Sequence, residues 1–249
     1  MALKIRKMHP LFVAEVTGID ITEPLKKEMR SELQNLIDQH GILVFRDQNF
    51  TDEQQVAFSL NFGEIEIANN KNNITKQEDR RLSNMFSDIS NLNKNDELHA
   101  QESRQRIFNL GNRIWHSDSS FRPNPARYSL LSAREIPLKG GDTQYADMHS
   151  PYENLTSVMK HLIADLQCEH SLMYSRARLG MDYFTEQEKE DFKPVLQPLV
   201  RTHPSTGRRS LFLASHAGRI VGWPITEAKL LLEELTEIAT QKEYVYTHQ

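Results

Sequence analysis

Short candidate strands, bounded by turn-forming residues, limit the fold of this chain more than any other feature of its sequence. The candidates at 42–45, 142–147 and 195–200 are each shorter than an ordinary helix. Glycine and proline punctuate the chain between them, as in the turn at 204–207. Many short strands decorated by helices favour a β-sandwich or jelly roll over a doubly wound parallel sheet. We therefore predict a mainly β fold with helices.

The remaining elements follow from helical spacing and capping signals. Helices are predicted at 24–41, 51–63 and 150–166 and from Thr226 onward. Thr51 and Gln54 form a capping box at the start of the second helix, and Gly41 is placed to end the first. Further strands are predicted at 11–19, 126–135, 211–214, 219–221 and 244–246. The charged stretch 185–193 is assigned no element.

The composition restricts the kind of partner. The formal net charge is −4, and acidic and basic side chains are interspersed, so neither a basic stripe for nucleic acid nor a polybasic patch for a membrane surface is present. Cys168 is the only cysteine, which excludes an internal disulfide, and no apolar signal core opens the chain. We expect one domain over 1–249, a cytoplasmic setting and a small-molecule partner, with homo-oligomerisation left open.

His116 and Asp118 are separated by one residue within the stretch 115–121. In an extended strand, side chains two positions apart point to the same face. An imidazole and a carboxylate on one face would form two arms of the two-histidine, one-carboxylate triad that holds Fe(II). The spacing alone leaves a second interpretation open, in which a histidine at a strand end lies beside a solvated aspartate.

The segment 64–109 changes in character, because polar residues dominate it and apolar residues occur singly. Irregular segments of this length in a domain are usually lids or disordered insertions. It leads directly into the His116 region, so we predict a lid over the site. A solvated insertion is the alternative.

A family resemblance extends outward from the His116 region. The residues that carry it are the run 109–121, the prolines at 123 and 125, and the Gly-Gly-Asp-Thr sequence at 140–143. They resemble the taurine and phenoxyacetate dioxygenases, a family of Fe(II)- and 2-oxoglutarate-dependent oxygenases with a double-stranded β-helix (jelly-roll) core. The likeness includes 41–46 and 201–204 and so covers nearly the whole chain. Segments 74–76 and 79–82 look closer to the phenoxyalkanoate branch.

The resemblance implies roles for individual residues. His116 and Asp118 would be iron ligands, and Thr143 would hydrogen-bond a carboxylate of 2-oxoglutarate. The candidate substrate residues are Asn112, Ile74, Lys76, His216 and Arg219. Structural alternatives remain, namely a β-branched strand residue for Thr143, a turn for Asn112, a solvated charge run for Lys76 and a hydrogen-bonded buried histidine for His216.

The activity that the resemblance implies is an oxygenase reaction. Fe(II), 2-oxoglutarate and O2 would be the cofactor and co-substrates, and an organic acid would be hydroxylated as 2-oxoglutarate is converted to succinate and carbon dioxide. In the phenoxyalkanoate branch, hydroxylation beside the ether oxygen of an aryloxyalkanoate releases a phenol. This chemistry belongs to aromatic compound catabolism.

One departure from the family pattern is visible. The family has a third histidine ligand, and then an arginine for 2-oxoglutarate, in a stretch after the last helix, and neither occurs before Gln249. His248 is interpreted as a solvated terminal residue rather than a replacement ligand. We therefore expect a jelly-roll core without its last strands. If these 249 residues are the entire protein, we also expect weak binding of iron and 2-oxoglutarate. The alternative hypothesis is a C-terminally truncated, catalytically impaired family member that acts as a binding or interaction domain.

Overall fold

Short strands and helices alternate along the computed structural model, which describes residues 3–68, 73–181 and 183–249. The α-helices are α1 (Lys27–His40), α2 (Asp52–Ser59), α3 (Arg104–Asn109), α4 (His149–Asn154), α5 (Ser157–Ile163), α6 (Leu172–Ala177), α7 (Glu186–Asp191) and α8 (Ile225–Ala239). The strands are β1 (Lys4–Lys7), β2 (Ala14–Thr17), β3 (Leu43–Val44), β4 (Thr143–Ala146), β5 (Gln167–His170), β6 (Val195–Pro198), β7 (Val200–Thr202), β8 (Arg209–Leu211), β9 (Ala217–Ile220) and β10 (Val245–His248). Short 3₁₀ helices lie at Leu60–Phe62, Gln77–Asp79, Leu110–Arg113 and Lys242–Tyr244. Within these described ranges, no helix has both the length and the apolar character needed to span a bilayer.

The strands of the described residues form four small sheets. β2 pairs antiparallel with β1 and parallel with β3. β5 lies between β6 and β9 and is antiparallel to both, while β7 and β8 form a hairpin around the predicted turn at 204–207. β4 pairs antiparallel with β10, so that Thr143 lies opposite His248. The prediction of short strands combined with helices is confirmed, but the α-helices hold more of the described residues than the strands do, so the fold is mixed rather than mainly β.

The largest core lies where α8 packs on the β5 sheet. Leu231, Leu232 and Leu235 project from one face of the helix and join Cys168 of β5 and Ile220 of β9 in a buried cluster. Burial of each such leucine contributes about 1.5–3 kcal/mol. Burial also raises the pKa of Cys168 to about 12. This core fixes β5 and β9, whose ends carry residues of the site.

Two helix signals of the sequence are confirmed. The Thr51 side chain accepts a hydrogen bond from the Gln54 amide, and the Gln54 side chain accepts one from the Thr51 amide, so the capping box forms at α2. α1 ends at Gly41, whose φ of 72° lies in the left-handed region that a side chain disfavours. Its amide donates to the Ile37 carbonyl oxygen.

Several element predictions are wrong. The strand expected at 211–214 overlaps β8 (Arg209–Leu211) only at Leu211. Residues 126–135 pair with no strand among the described residues, and Leu131 is 62% exposed, so this run lacks the partner that would bury it. The helix predicted at 150–166 is divided into α4 and α5, because Thr156 caps a new helix through the Met159 amide. The charged stretch 185–193 contains α7, which begins at another capping box.

Candidate active site

The segment 115–121 runs beside the loop that follows β8. The Ser215 amide donates to the Trp115 carbonyl oxygen at 2.9 Å, and the Ser117 hydroxyl donates to the Leu213 carbonyl oxygen at 2.8 Å. These isolated contacts do not make a strand, so the prediction of a His116 strand is wrong in that respect. The segment is nevertheless held in place up to Asp118, where a turn begins with φ of 55° at Ser119.

His116 and Asp118 direct one atom each towards the other. The Nε2 atom of His116 lies 3.2 Å from Oδ1 of Asp118. The Nδ1 atom of His116 lies 2.7 Å from the Ile114 carbonyl oxygen, and it must donate because a carbonyl oxygen can only accept. The second oxygen of Asp118 accepts a hydrogen bond from the Ser129 hydroxyl at 2.7 Å. A hydrogen bond on the side away from the partner therefore fixes the orientation of each side chain.

This pair has the geometry of two adjacent ligands of one metal ion. When two donor atoms each lie ~2.1 Å from a metal ion and the donor–metal–donor angle is a right angle, the two donors lie ~3 Å apart. A ligating histidine usually donates its other ring N–H to a carbonyl oxygen, as His116 does, and a ligating carboxylate is usually hydrogen-bonded, as Asp118 is. The residues present therefore fit Fe(II). In the part of the chain that the structure describes, no third His, Cys, Asp or Glu completes a metal-binding group.

The two side chains shift each other's protonation. The hydrogen bond to Asp118 raises the pKa of His116, although burial opposes this rise. The hydrogen bond from His116 lowers the pKa of Asp118, and the bond from Ser129 lowers it further. Both shifts favour a protonated imidazole beside an ionised carboxylate. A divalent cation bound between the same atoms would take the place of that proton.

His216 lies beside this pair. Its ring centroid is 6.0 Å from that of His116 and 5.0 Å from that of Phe121. The side chain is 2% exposed, and its Nδ1 atom is 2.9 Å from the Ser175 hydroxyl. Burial places the pKa of His216 well below its ordinary value, and the positive charge of Arg176 lowers it further. His216 is therefore a neutral imidazole at the edge of the site.

β4 forms another side of the site and carries Thr143. A cavity of about 190 Å³ lies between β4, His116 and the end of α8, and Gln144 and Tyr145 contribute to its lining. Burial raises the pKa of Tyr145, and the negative charge of Asp118 raises it further. Thr143 itself is half-buried in the same strand.

Comparison with known proteins identifies the family. The family model described as "Taurine catabolism dioxygenase TauD, TfdA family" matches residues 4–249. The chain belongs to this family. It is 39% identical over 248 residues to the alpha-ketoglutarate-dependent 2,4-dichlorophenoxyacetate dioxygenase of Cupriavidus pinatubonensis, which covers 100% of this chain and 86% of the relative. The (S)-phenoxypropionate/alpha-ketoglutarate-dioxygenase of Sphingobium herbicidovorans is 32% identical over 255 residues, covering 99% of this chain and 83% of the relative.

A solved structure supports the same assignment. The crystal structure of AAD-2 in complex with Mn(II) and N-oxalylglycine superposes with a TM-score of 0.97 at 50% identity, covering 100% of this chain and 86% of that chain. The mixed helix–strand fold is therefore that of the TauD, TfdA family. The resemblance to its phenoxyalkanoate branch is confirmed.

The other candidate residues of this TauD, TfdA family member lie in different environments. Ile74 packs on an aromatic cluster that includes Phe108 and Phe121. Asn112, Lys76 and Arg219 are exposed. His248 is half-buried in β10 with Nδ1 3.3 Å from the Tyr246 hydroxyl, so it is not the solvated terminal residue that was expected.

Sequence reasoning missed four polar residues around the site. Ser129 hydrogen-bonds Asp118, and Ser175 lies between His216 and Arg176. His170 is fully buried at the end of β5, and its charge state influences the pKa of His216. No local pattern marks these residues, because the fold brings them together from distant parts of the chain.

Proposed function

We propose that this chain is an Fe(II)- and 2-oxoglutarate-dependent dioxygenase that hydroxylates an aryloxyalkanoate. The observation that carries the proposal is the pairing of His116 Nε2 with Asp118 Oδ1 at 3.2 Å, with the remaining polar atom of each side chain already hydrogen-bonded. The names of the relatives supply the substrate class, since they describe dioxygenases of 2,4-dichlorophenoxyacetate and (S)-phenoxypropionate.

Each element of the site has a separate task in this proposal. His116 and Asp118 hold Fe(II), and Thr143 donates a hydrogen bond to a carboxylate of 2-oxoglutarate. The bound iron supplies the activation of O2 that side chains cannot provide. Tyr145 and the other half-buried residues of the cavity lining would shield the His116 side of the site from water, whereas the Asp118 side chain is more than half exposed.

The overall reaction balances with these components. One oxygen atom of O2 enters succinate as 2-oxoglutarate loses carbon dioxide, and the other enters the C–H bond beside the ether oxygen. The product is a hemiacetal, which releases a phenol and an oxo acid as its C–O bond breaks. The protein's task would be to place that C–H bond beside the iron that His116 and Asp118 would hold.

The proposal extends to the architecture. The chain forms one oxygenase domain whose short strands belong to a jelly-roll core, and segment 64–109 acts as a lid. Support for the lid comes from Glu66, which accepts a hydrogen bond from the Ser119 hydroxyl at 2.7 Å and pairs with Arg122 at 2.9 Å, on the turn that follows Asp118. Residues 69–72 of the lid lie outside the described residues.

A non-catalytic binding domain is the less favoured hypothesis. Relatives that match nearly the full length of this chain are named as dioxygenases. Two ligand-type side chains are also aligned as a metal would require, which a mere binding domain would not need.

The decisive experiment measures oxygen-dependent conversion of 2-oxoglutarate to succinate in the presence of Fe(II) and 2,4-dichlorophenoxyacetate, together with phenol release. His116→Ala should reduce turnover by at least about 100-fold, because a ligand of the metal is lost. His161→Ala, at an exposed position of α5, is the matched control and should retain turnover. Full turnover in the His116 variant would overturn the assignment.

A further inference from the structure

Packing does little to orient the Asp118 side chain, which is 57% exposed. Its hydrogen bond from Ser129 comes from a segment that pairs with no strand among the described residues. The backbone turns sharply just after Asp118, since Ser119 has a φ of 55° and the Arg122 amide donates to the Ser119 carbonyl oxygen at 2.9 Å. A serine in the left-handed region persists only where its surroundings hold it there. The contacts that hold the turn 119–122 therefore decide where the Asp118 carboxylate points.

Gln197 of β6 holds this turn from the protein interior. The residue is 2% exposed, and its Nε2 atom donates to the Arg122 carbonyl oxygen at 2.6 Å and to the Ser120 carbonyl oxygen at 3.1 Å. A primary amide has two N–H groups, so this one nitrogen can satisfy both acceptors at once. The amide therefore links the second and the fourth residue of the turn to a buried strand.

The Gln197 amide is itself fixed in one orientation. Its Oε1 atom accepts a hydrogen bond from the Arg201 guanidinium, which can only donate, so Nε2 must face the turn. The guanidinium carbon of Arg201 lies 3.4 Å from the centroid of the Phe212 ring, which restricts its movement. Gln197 also lies opposite Cys168 where β6 pairs with β5, the strand that α8 covers. The contact to the turn is therefore anchored in the largest core of the protein.

The other side of the turn is held less firmly. Glu66 accepts a hydrogen bond from the Ser119 hydroxyl and pairs with the Arg122 guanidinium, but the two charged side chains are 25% and 22% exposed. Ion pairs in contact with water contribute little, whereas buried hydrogen bonds to carbonyl oxygens are costly to leave unmade. Glu66 also belongs to the irregular segment 64–109, while Gln197 belongs to a paired strand. Gln197 is therefore the main restraint on the turn.

We propose that Gln197 is a positioning residue for the metal ligand Asp118. It fixes the turn 119–122 to β6 and so keeps the Asp118 carboxylate facing Nε2 of His116, at the 3.2 Å separation that suits two ligands of one metal ion. Gln197 reaches the turn through backbone carbonyl oxygens, so it acts on Asp118 through the main chain. This role rests on the proposed function.

Gln197→Glu removes the two donors with almost no change in shape. Its carboxylate can still accept from Arg201, so the contact within β6 and β7 remains, but it places an oxygen atom against the two carbonyl oxygens of the turn. Gln167→Glu, at an exposed position of the neighbouring strand β5, is the matched control for the added charge. Ile163→Val, in the buried core of α5, is the control for a loss of stability alone.

Binding of Mn(II) to the full chain, with 2-oxoglutarate and without oxygen, measures the effect on the site. Electron paramagnetic resonance of free Mn(II) gives the dissociation constant, and the spectrum of bound Mn(II) reports the symmetry of its ligands. Gln197→Glu should weaken Mn(II) binding by about 10-fold and change the bound spectrum, because a ligand loses its support. Both controls should bind Mn(II) as the wild type does, even where Ile163→Val lowers the melting temperature. An unchanged Mn(II) affinity in folded Gln197→Glu would overturn the proposal, and so would an equal loss in Ile163→Val.

Hydrogen exchange of the metal-free chain tests the restraint on the turn without any metal. The Arg122 amide should exchange about 10-fold faster in Gln197→Glu, while the amides of α8 keep their wild-type rates. Equal rates at the Arg122 amide would also overturn the proposal. If Gln197→Glu does not fold, Gln197→Met removes the same donors without adding a charge, and the same two results are expected. A wild type that binds no Mn(II) would contradict the proposed function, whereas wild-type affinity in Gln197→Glu would contradict the positioning role alone.

Discussion

His170 is a titratable residue that the fold keeps neutral. It is fully buried, its ring stacks on Phe212 at 5.6 Å, and neither ring nitrogen has a hydrogen-bond partner within the described ranges. Arg201 covers the ring of Phe212 at 3.4 Å. Burial lowers the pKa of His170 to about 4, and the charge of Arg201 acts in the same direction. Protonation of this ring would place an unpaired charge in the core.

The stability of the protein should therefore fall with pH in a defined window. The unfolded chain binds a proton on this histidine near pH 6.5, whereas the folded chain binds it only near pH 4. The contribution of neutral His170 to the free energy of unfolding is fully present above pH 6.5. It is lost as the pH falls from there to about 4, and its magnitude is roughly 3 kcal/mol. Denaturant titrations of wild type and His170→Phe at pH 7 and pH 4.5 measure it. The variant should lose less unfolding free energy between the two pH values, and an equal loss would refute the prediction.

Spacing in the sequence was enough to predict only part of the site. His116 and Asp118 are close in the chain, so their proximity follows from local geometry. His216 and Ser175 are 41 positions apart, and their contact depends on how α6 meets the end of β9. Such contacts arise from tertiary packing and leave no local pattern. The family resemblance supplied His216 as a candidate without supplying its partner.

At the scale of elements, the capping box of α2 gives a prediction that depends on two side chains. Thr51→Ala removes the acceptor for the Gln54 amide and should lower the free energy of unfolding by about 1 kcal/mol. Thr226→Ala is the matched control, since Thr226 is exposed in the first turn of α8, where Pro224 is the cap residue. Its effect should stay within about 0.5 kcal/mol. Equal losses in both variants would show that the cap contributes nothing specific.

The helix ends that the sequence predicted correctly have local signals. Gly41 and the Thr51 capping box mark helix ends through their own hydrogen bonds, which need no distant partner. The strand expected at 126–135 is different, because a strand exists only where another backbone pairs with it. Apolar residues such as Leu131 satisfied the pattern, yet the chain leaves that side chain largely exposed. The strand prediction failed at 126–135 because no partner strand lies there among the described residues, whereas the strands predicted at 142–147 and 195–200 have partners.

At the scale of the whole molecule, a site built by His116 and Asp118 should couple metal binding to global stability. A ligand that binds only the folded state stabilises it, by about 2.7 kcal/mol at 100 times its dissociation constant, or roughly 5–10 °C in melting temperature. Mn(II) with 2-oxoglutarate should therefore raise the melting temperature of the wild type. Asp118→Ala should abolish most of this rise, and a chelator should reverse it in the wild type. A rise of the same size in the variant would place the metal elsewhere.

The burial of Cys168 has a practical consequence for studies in solution. Its thiol is fully enclosed, and its high pKa keeps the reactive thiolate scarce at neutral pH. We therefore expect Cys168 of the folded protein not to react with maleimide reagents. One cysteine introduced at the exposed Ser83 would carry a fluorophore or spin label at a single known position of segment 64–109. Whether that segment moves on substrate binding could then be tested directly, without first removing a native thiol.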